Sequence, residues 1–224
     1  MIIIILGFYI FEMHYIEKIY NKFIRIVKKE LIIENNEFKK KQEDYDYLIS
    51  CGVETQFGYV ELVGRPIIKK HPNSKIIIGK GVILVSDSHY NEAGINHPVI
   101  IATEKEGVTI KIGDGCGFSG TSIVAVSGIE IGENTLVGVN SNIWDTDFHP
   151  INPIKRLQQK SILDALTLPV KIGRNVWIGA NTTILKGVQI DDNSVIGSNS
   201  LVNKNVGKNE LFAGIPAKFI KTTR

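Results

Sequence analysis

Residues 172–207 read IGRNVW IGANTT ILKGVQ IDDNSV IGSNSL VNKNVG, a branched aliphatic residue opening every unit of six: Ile172, Ile178, Ile184, Ile190, Ile196 and Val202. A period of six fits neither the α-helix, at about 3.6, nor the ordinary strand, at about 2. It fits a parallel β-helix, in which each short strand contributes an inward residue and successive coils stack into one continuous core. The fifth position of the unit is small or β-branched (Val176, Thr182, Val188, Ser194, Ser200), as tight corners require. Gly and Asn between these positions allow the backbone angles of such corners. Three units make one triangular coil, so 172–189 and 190–207 are two clean coils.

The beat also runs upstream. Ile131, Val137 and Ile143 define a coil over 131–148, and Ile112, Phe118 and Val124 define one over 112–130 with a slip of one residue. Within Gly64–Val85, Ile76, Ile78 and Gly79 mark a first turn. Cys116 falls on a small inward position and reads as a core residue. Two stretches break the repeat: residues 86–107, with His89, His97 and Pro98, and the excursion HPINPIKRLQQKSILDALTLP at 149–169. A long departure from a rigid repeat is where function is expected.

Length and composition set the outer bounds. The chain has 224 residues, 43% hydrophobic and 22% charged, enough for one sizeable core with a small attachment. A formal net charge of +3 gives no reason to expect a nucleic-acid partner. Two distant cysteines, Cys51 and Cys116, argue against a disulfide scaffold and for a cytoplasmic protein. The apolar run Met1–Phe11 is shorter than the ~20 residues that span a bilayer, and it lacks the flanks of a secretory signal. Ile16, Ile19, Tyr20, Phe23 and Val27 follow helical spacing, with Lys18, Lys22, Arg25, Lys28 and Lys29 between them. This predicts a helix packed on the domain or on a neighbouring subunit. The alternative is peripheral contact of residues 1–30 with an anionic membrane surface at the inner face of the membrane. Glu34–Asp46 reads as a linker or exposed helix. The predicted organisation is an N-terminal helical extension and linker over 1–55, then an all-β domain over 56–224.

The segment NIWDTDFHP at 142–150, then PVKIGRNVWIGA at 169–180 and FAGIPAKFIK at 212–221, resembles the hexapeptide-repeat acyltransferases. The likeness is greatest to the branch of maltose and galactoside O-acetyltransferases and polysaccharide-biosynthesis acetyltransferases, and it covers about residues 60 to 224. It implies a left-handed parallel β-helix with a long active-site loop, a homotrimer, and active sites in clefts between subunits. It also implies acetyl-coenzyme A as acyl donor and a sugar or glycan hydroxyl as acceptor. His149 matches the general base, which takes the hydroxyl proton as the thioester is attacked and needs no covalent enzyme intermediate.

By position, Trp177, Ala180, Ser198 and Asn203 match the acetyl-coenzyme A track, and Lys204, Lys218 and Lys221 match basic residues near its phosphates. Asp147 is a candidate to orient His149 or contact the acceptor, and Asp145 a lesser one; the bland alternative for both is a solvated turn carboxylate. Ser119 and Thr121 fall near the position of an acceptor-binding Asn in galactoside acetyltransferases, and their departure from Asn leaves the acceptor open. Asn96 and His97 line the cleft or merely shape their loop. His14, His71, His89, His97 and His149 form no metal-like pattern, so no metal is expected. The alternatives on this fold are an N-acetyltransferase of an amino sugar, an antibiotic acetyltransferase and a non-catalytic trimeric scaffold.

Overall fold

Three-stranded coils, each spending one short strand on each of three faces, stack to form the body of the protein. The computed structural model describes residues 2–223, with side chains from residue 21 onward. The first coil is β1 (Val60–Val63), β2 (Ile67–Lys70) and β3 (Lys75–Ile78), so the repeat begins earlier than Gly64. β4 (Val82–Val85), β5 (Ile100–Thr103) and β6 (Thr109–Ile112) form the second, and β7 (Gly117–Ser119), β8 (Ser122–Ala125) and β9 (Ile129–Ile131) the third. β10 (Leu136–Val137), β11 (Asn142–Trp144) and β12 (Val170–Ile172) form the fourth, and β13 (Trp177–Ile178), β14 (Thr183–Ile184) and β15 (Gln189–Ile190) the fifth. β16 (Val195–Ile196) and β17 (Leu201–Val202) open a sixth, and the hairpin β18 (Glu210–Gly214) and β19 (Ala217–Thr222) closes the stack.

The first, second and third strands of successive coils pair in parallel as faces I, II and III. The fold is a left-handed parallel β-helix. Registry puts the inward residues in columns. Leu84, Phe118, Val137, Ile178 and Ile196 stack on face I, Ile101, Ile123, Ile143, Ile184 and Val202 on face II, and Ile112, Ile131, Ile172 and Ile190 on face III. All are buried, and each such side chain contributes roughly 1.5–3 kcal/mol relative to exposure. At the III–I corner Asn134, Asn175, Asn193 and Asn209 take φ near +57°, between 55° and 60°. Asparagine tolerates this left-handed conformation, and the Asn175, Asn193 and Asn209 amides bond to one another in a ladder at 3.1 Å per step.

One expectation about the beat is corrected. Ile123, not Val124, takes the inward slot opposite Ile143, and Val124 is half-buried. The I–II corner before it is short, turning at Gly120 with φ +52°. A side chain there would also meet Ile95 Cγ2 at 2.7 Å and the His97 carbonyl at 2.9 Å. The II–III corner after it is long, over Val126–Gly128, so a deletion and an insertion together give the net slip. Cys116 is buried as expected, its thiol donating to the Gly132 carbonyl at 3.1 Å, and burial pushes its pKa up to about 11.

The chain divides into the units Met1–Glu43 and Asp44–Arg224. Helix α1 (Ile2–Ser50) runs through Glu34–Asp46, so that stretch is helix. Within the second unit, the last turns of α1 are tied to the first coil. Leu48 is buried, Asp44 Oδ2 accepts from the Leu62 N–H at 3.3 Å, and the Arg65 guanidinium lies 4.5 Å from the Tyr47 ring centre. In the first unit Phe23, Ile26, Leu31 and Ile32 are exposed. Helical spacing puts Glu30, Glu34 and Glu37 on the face of Phe23 and Val27, which ends the apolar stripe there. The side chains of residues 2–20, on which much of the membrane-surface alternative rests, lie outside the described residues, as does Met1. Among the described residues no helix is long and apolar enough to cross a membrane.

Candidate active site

The excursion between β11 and β12 leaves the II–III corner of the fourth coil and returns to it. Its stem is a short antiparallel ladder: the Asp147 N–H donates to the Leu166 carbonyl at 3.1 Å and the Leu168 N–H to the Asp145 carbonyl at 3.0 Å. Helix α2 (Pro153–Leu157) begins at Asn152, whose Oδ1 accepts from the N–H groups of Ile154 and Lys155, and Pro153 supplies a preset φ. A 3₁₀ turn follows at Ile162–Asp164, closed by the reciprocal bonds of Ser161 and Asp164. The Lys160 N–H, donating to Asp164 Oδ2 at 2.9 Å, and after it the Ser161 N–H hold the Asp164 carboxyl below the usual carboxylate range. The loop is thus built, not loose.

His149 stands exposed at the mouth of this loop. Its N–H donates to the Asp147 carbonyl at 2.6 Å, and ring Nδ1 lies 2.8 Å from Gln159 Oε1. Gln159 Nε2 donates to the carbonyls of Phe148 and Ser161, both at 2.8 Å. Phe148 itself has φ +60°, a left-handed conformation that costs roughly 1–3 kcal/mol in a bulky residue. It is held by its N–H bond to Thr146 Oγ1 at 3.1 Å and by edge-on packing against Trp144, with ring centres 5.3 Å apart. Strain beside His149 is therefore locked in by its surroundings. A cavity of about 540 Å³ lies against the ring, lined by His149, Arg156, Gln159, Lys160, Ser161 and Ile162.

The two aspartates behave differently from expectation. Asp147 does not touch the His149 ring; its Oδ1 forms a 2.7 Å ion pair with Lys186 from the next coil, and its Oδ2 is buried. That Oδ2 has no hydrogen-bond partner among the described residues but is shut off from solvent in the single chain, and the ion pair clasps the loop to the coil. Asp145 is wholly buried rather than solvated. Its carboxylate accepts from the N–H groups of Val126, Ser127 and Gly128 at 2.7, 2.6 and 2.6 Å, closing the overlong corner of the third coil. Burial pushes its pKa up, and these three donors oppose the shift. Thr121 is fully buried, donating to the Ser119 carbonyl at 3.3 Å, which leaves no surface for an acceptor; Ser119 is half-buried at the I–II corner. The Asn96 N–H donates to Asn140 Oδ1 at 2.9 Å and His97 Nδ1 meets the Pro98 carbonyl at 2.8 Å, so both shape the first loop.

The expected donor residues fall on two corners. Trp177 is exposed on face I, just before the I–II corner, where Ala180 and Ser198 stack in successive coils. A Cβ on Gly179 would sit 2.5 Å from the Ser198 amide nitrogen, so glycine permits this close stacking. Lys218 pairs with Ala213, which packs on Gly197 beside Ser198. Asn203 and Lys204 are exposed on the II–III corner, the side from which the His149 loop emerges. Lys221 pairs with Leu211 in the closing hairpin. Sequence reasoning missed Gln159 and Lys186. Among the described residues no three His, Cys, Asp or Glu side chains gather as a metal site would require.

Residues 169–204 match the model of the bacterial transferase hexapeptide family (six repeats). Galactoside O-acetyltransferase of Escherichia coli strain K12 is 38% identical over 93 residues, 42% of this chain and 43% of that protein. Chloramphenicol acetyltransferase of Morganella morganii is 50% identical over 50 residues, 22% of this chain and 24% of that protein. A solved structure, the polySia-specific acetyltransferase NeuO, is similar in fold, with a TM-score of 0.50 at 24% identity over 73% of this chain and 80% of that one. The chain spans about half the length of the curated relatives it matches. Residues 169–204 thus carry the six-residue repeat of that family, and the same repeat runs through the three-faced stack of the second unit.

Proposed function

We propose that the protein is an acetyl-coenzyme A-dependent O-acetyltransferase that acts on a sugar or glycan hydroxyl, with His149 as general base. The observation that carries this reading is His149 itself, an exposed imidazole on a hydrogen-bonded loop at the edge of a cavity. A hydroxyl is a poor nucleophile until its proton is removed, and a neutral imidazole in hydrogen-bond reach takes that proton near pH 7. The acceptor oxygen then bonds to the acetyl carbonyl carbon, the carbon–sulfur bond breaks, and the proton passes from His149 to the departing thiolate. The products are the acetyl ester and free coenzyme A. Relatives named for O-acetyl transfer to a galactoside support this choice of reaction.

On the donor side, Ala180 and Ser198 offer backbone along the I–II corner, and Lys204 and Lys218 supply cations for the coenzyme phosphates. His149 emerges from the other edge of face II, so a site formed by one copy's corner and another copy's loop supports the homotrimer reading.

The test is thiol release from acetyl-coenzyme A in the presence of neutral sugars, acidic sugars, amino sugars and antibiotics. A sugar hydroxyl is expected to be the best acceptor, and His149→Ala is expected to lower kcat by about 10²–10⁴-fold. Turnover of His149→Ala at the parent rate overturns the base assignment. Preference for an amine or an antibiotic replaces the acceptor reading, and absence of both turnover and coenzyme binding favours a scaffold.

A further inference from the structure

We infer that Gln159 is the positioning residue that holds His149 in the Nδ1–H tautomer and leaves Nε2 as the basic nitrogen. The inference rests on His149 being the base proposed above, but its geometry stands apart from that role. The orientation of the Gln159 amide is fixed by chemistry. Its Nε2 lies 2.8 Å from two carbonyl oxygens, those of Phe148 and Ser161, and carbonyls only accept. The opposite amide orientation would set Oε1 against both oxygens and lose both bonds. With the amide so held, Oε1 is the atom 2.8 Å from His149 Nδ1, and an amide oxygen only accepts. Nδ1 must therefore carry the proton in the neutral ring. Nε2 keeps the lone pair and makes no hydrogen bond among the described residues.

The three bonds couple this proton to the shape of the loop. Phe148 immediately precedes His149 and is the residue held at φ +60°, so the bond to its carbonyl fixes the peptide that aims the imidazole. The bond to Ser161 reaches the segment that opens the 3₁₀ turn. One glutamine therefore sets the ring's tautomer and ties the two sides of the loop together around it. In an unconstrained neutral histidine the proton favours Nε2, the nitrogen that must stay unprotonated if it is to act as the base. Removing the Gln159 oxygen should therefore cost catalysis even in a loop that keeps its shape.

The experiment reads the tautomer directly from the side-chain ¹⁵N signals of His149, above the pH at which the ring is protonated, in the full chain without ligands. His149→Ala assigns the signal. The parent is expected to show a pyrrole-type Nδ1 and a pyridine-type Nε2. Gln159→Leu, which cannot accept, should move the ring toward the Nε2–H form and lower kcat roughly 10- to 100-fold, with KM for acetyl-coenzyme A unchanged. Gln159→Glu keeps an acceptor at Nδ1 while giving up the bonds to both carbonyls. It should retain the parent's nitrogen pattern and more activity than Gln159→Leu. A pyridine-type Nδ1 in the parent overturns the inference whatever the activity, as does a parent-like pattern in Gln159→Leu. The expected pattern without acetyl transfer to any acceptor would leave the positioning role standing and sink the transferase reading instead.

Discussion

At the scale of single residues, two buried groups make opposite predictions. Cys116 sits in the core with its pKa pushed up to about 11 by burial, against about 9 for an ordinary thiol. The folded state therefore holds its proton where the unfolded state has lost it. Its contribution is fully present below pH 9 and is lost as the pH rises through about 11. With a disulfide reagent at pH 8, the half-buried Cys51 should react quickly and Cys116 only on unfolding; two equally fast thiols would contradict the packing. Asp145, by contrast, is buried as the acceptor for three backbone N–H groups. Asp145→Ala strands those donors in an overlong corner and should destabilise the fold by about 2–4 kcal/mol, read from denaturant unfolding. Neither partner set could be read from the sequence. The N–H groups lie 17 to 19 residues before Asp145, and only the fold shows that the third coil's corner passes beneath it. Val124 misled for a related reason: it and Ile123 are both β-branched, and only registry against Ile143 tells which faces inward.

At the scale of elements, the repeat was legible and the loop was not. Side chains that recur every six residues announce a strand and a corner, because each coil poses the same packing problem. The excursion at 149–169 has no such periodicity, so its extent was plain while its internal bonds were hidden. His149 was found through the motif around it, Gln159 lies ten residues on in an irregular segment, and the true partner of Asp147 is Lys186, in a different coil. The Asp147–Lys186 pair is mostly shielded from solvent, and it joins the loop's stem to the fifth coil. Lys186→Met should loosen the loop, exposing the 149–169 segment to proteases while changing global stability by less than about 2 kcal/mol; unchanged cleavage would deny the clasp. The side chains lining the cavity also carry positive charge. Arg156 and Lys160 line the cavity with His149, no carboxylate among the described residues lines it, and Arg156 Nη1 is held by the carbonyls of Pro150 and Ile151 at 3.1 and 3.0 Å. Acceptors carrying a carboxylate or phosphate should therefore show a lower KM than neutral ones, with the advantage shrinking as salt rises. Equal KM values at low salt would count against it.

At the scale of the whole molecule, the three faces of the second unit differ in what they turn outward. Face III presents Lys111, Glu130, Lys171 and Gln189 in register. Face I presents Ile83, Gly117, Leu136, Trp177, Val195 and Leu211, of which Ile83 is 41%, Leu136 55% and Trp177 59% exposed. An apolar column of this length beside the charged face III fits the homotrimer proposed above, in which a partner would cover it. A second copy as occupant would also account for the proposed site, since the proposed donor corner adjoins face I while His149 leaves from the far edge of face II. Light scattering should therefore give a mass three times that of one chain. Leu136→Arg places a charge in the middle of the column and should yield monomers that keep the circular dichroism of the β-helix but lose acetyl transfer. Lys171→Ala on face III should leave both mass and rate unchanged. Monomeric Leu136→Arg with full activity would show that one chain holds a complete site, and the two-copy reading of the cleft would fall.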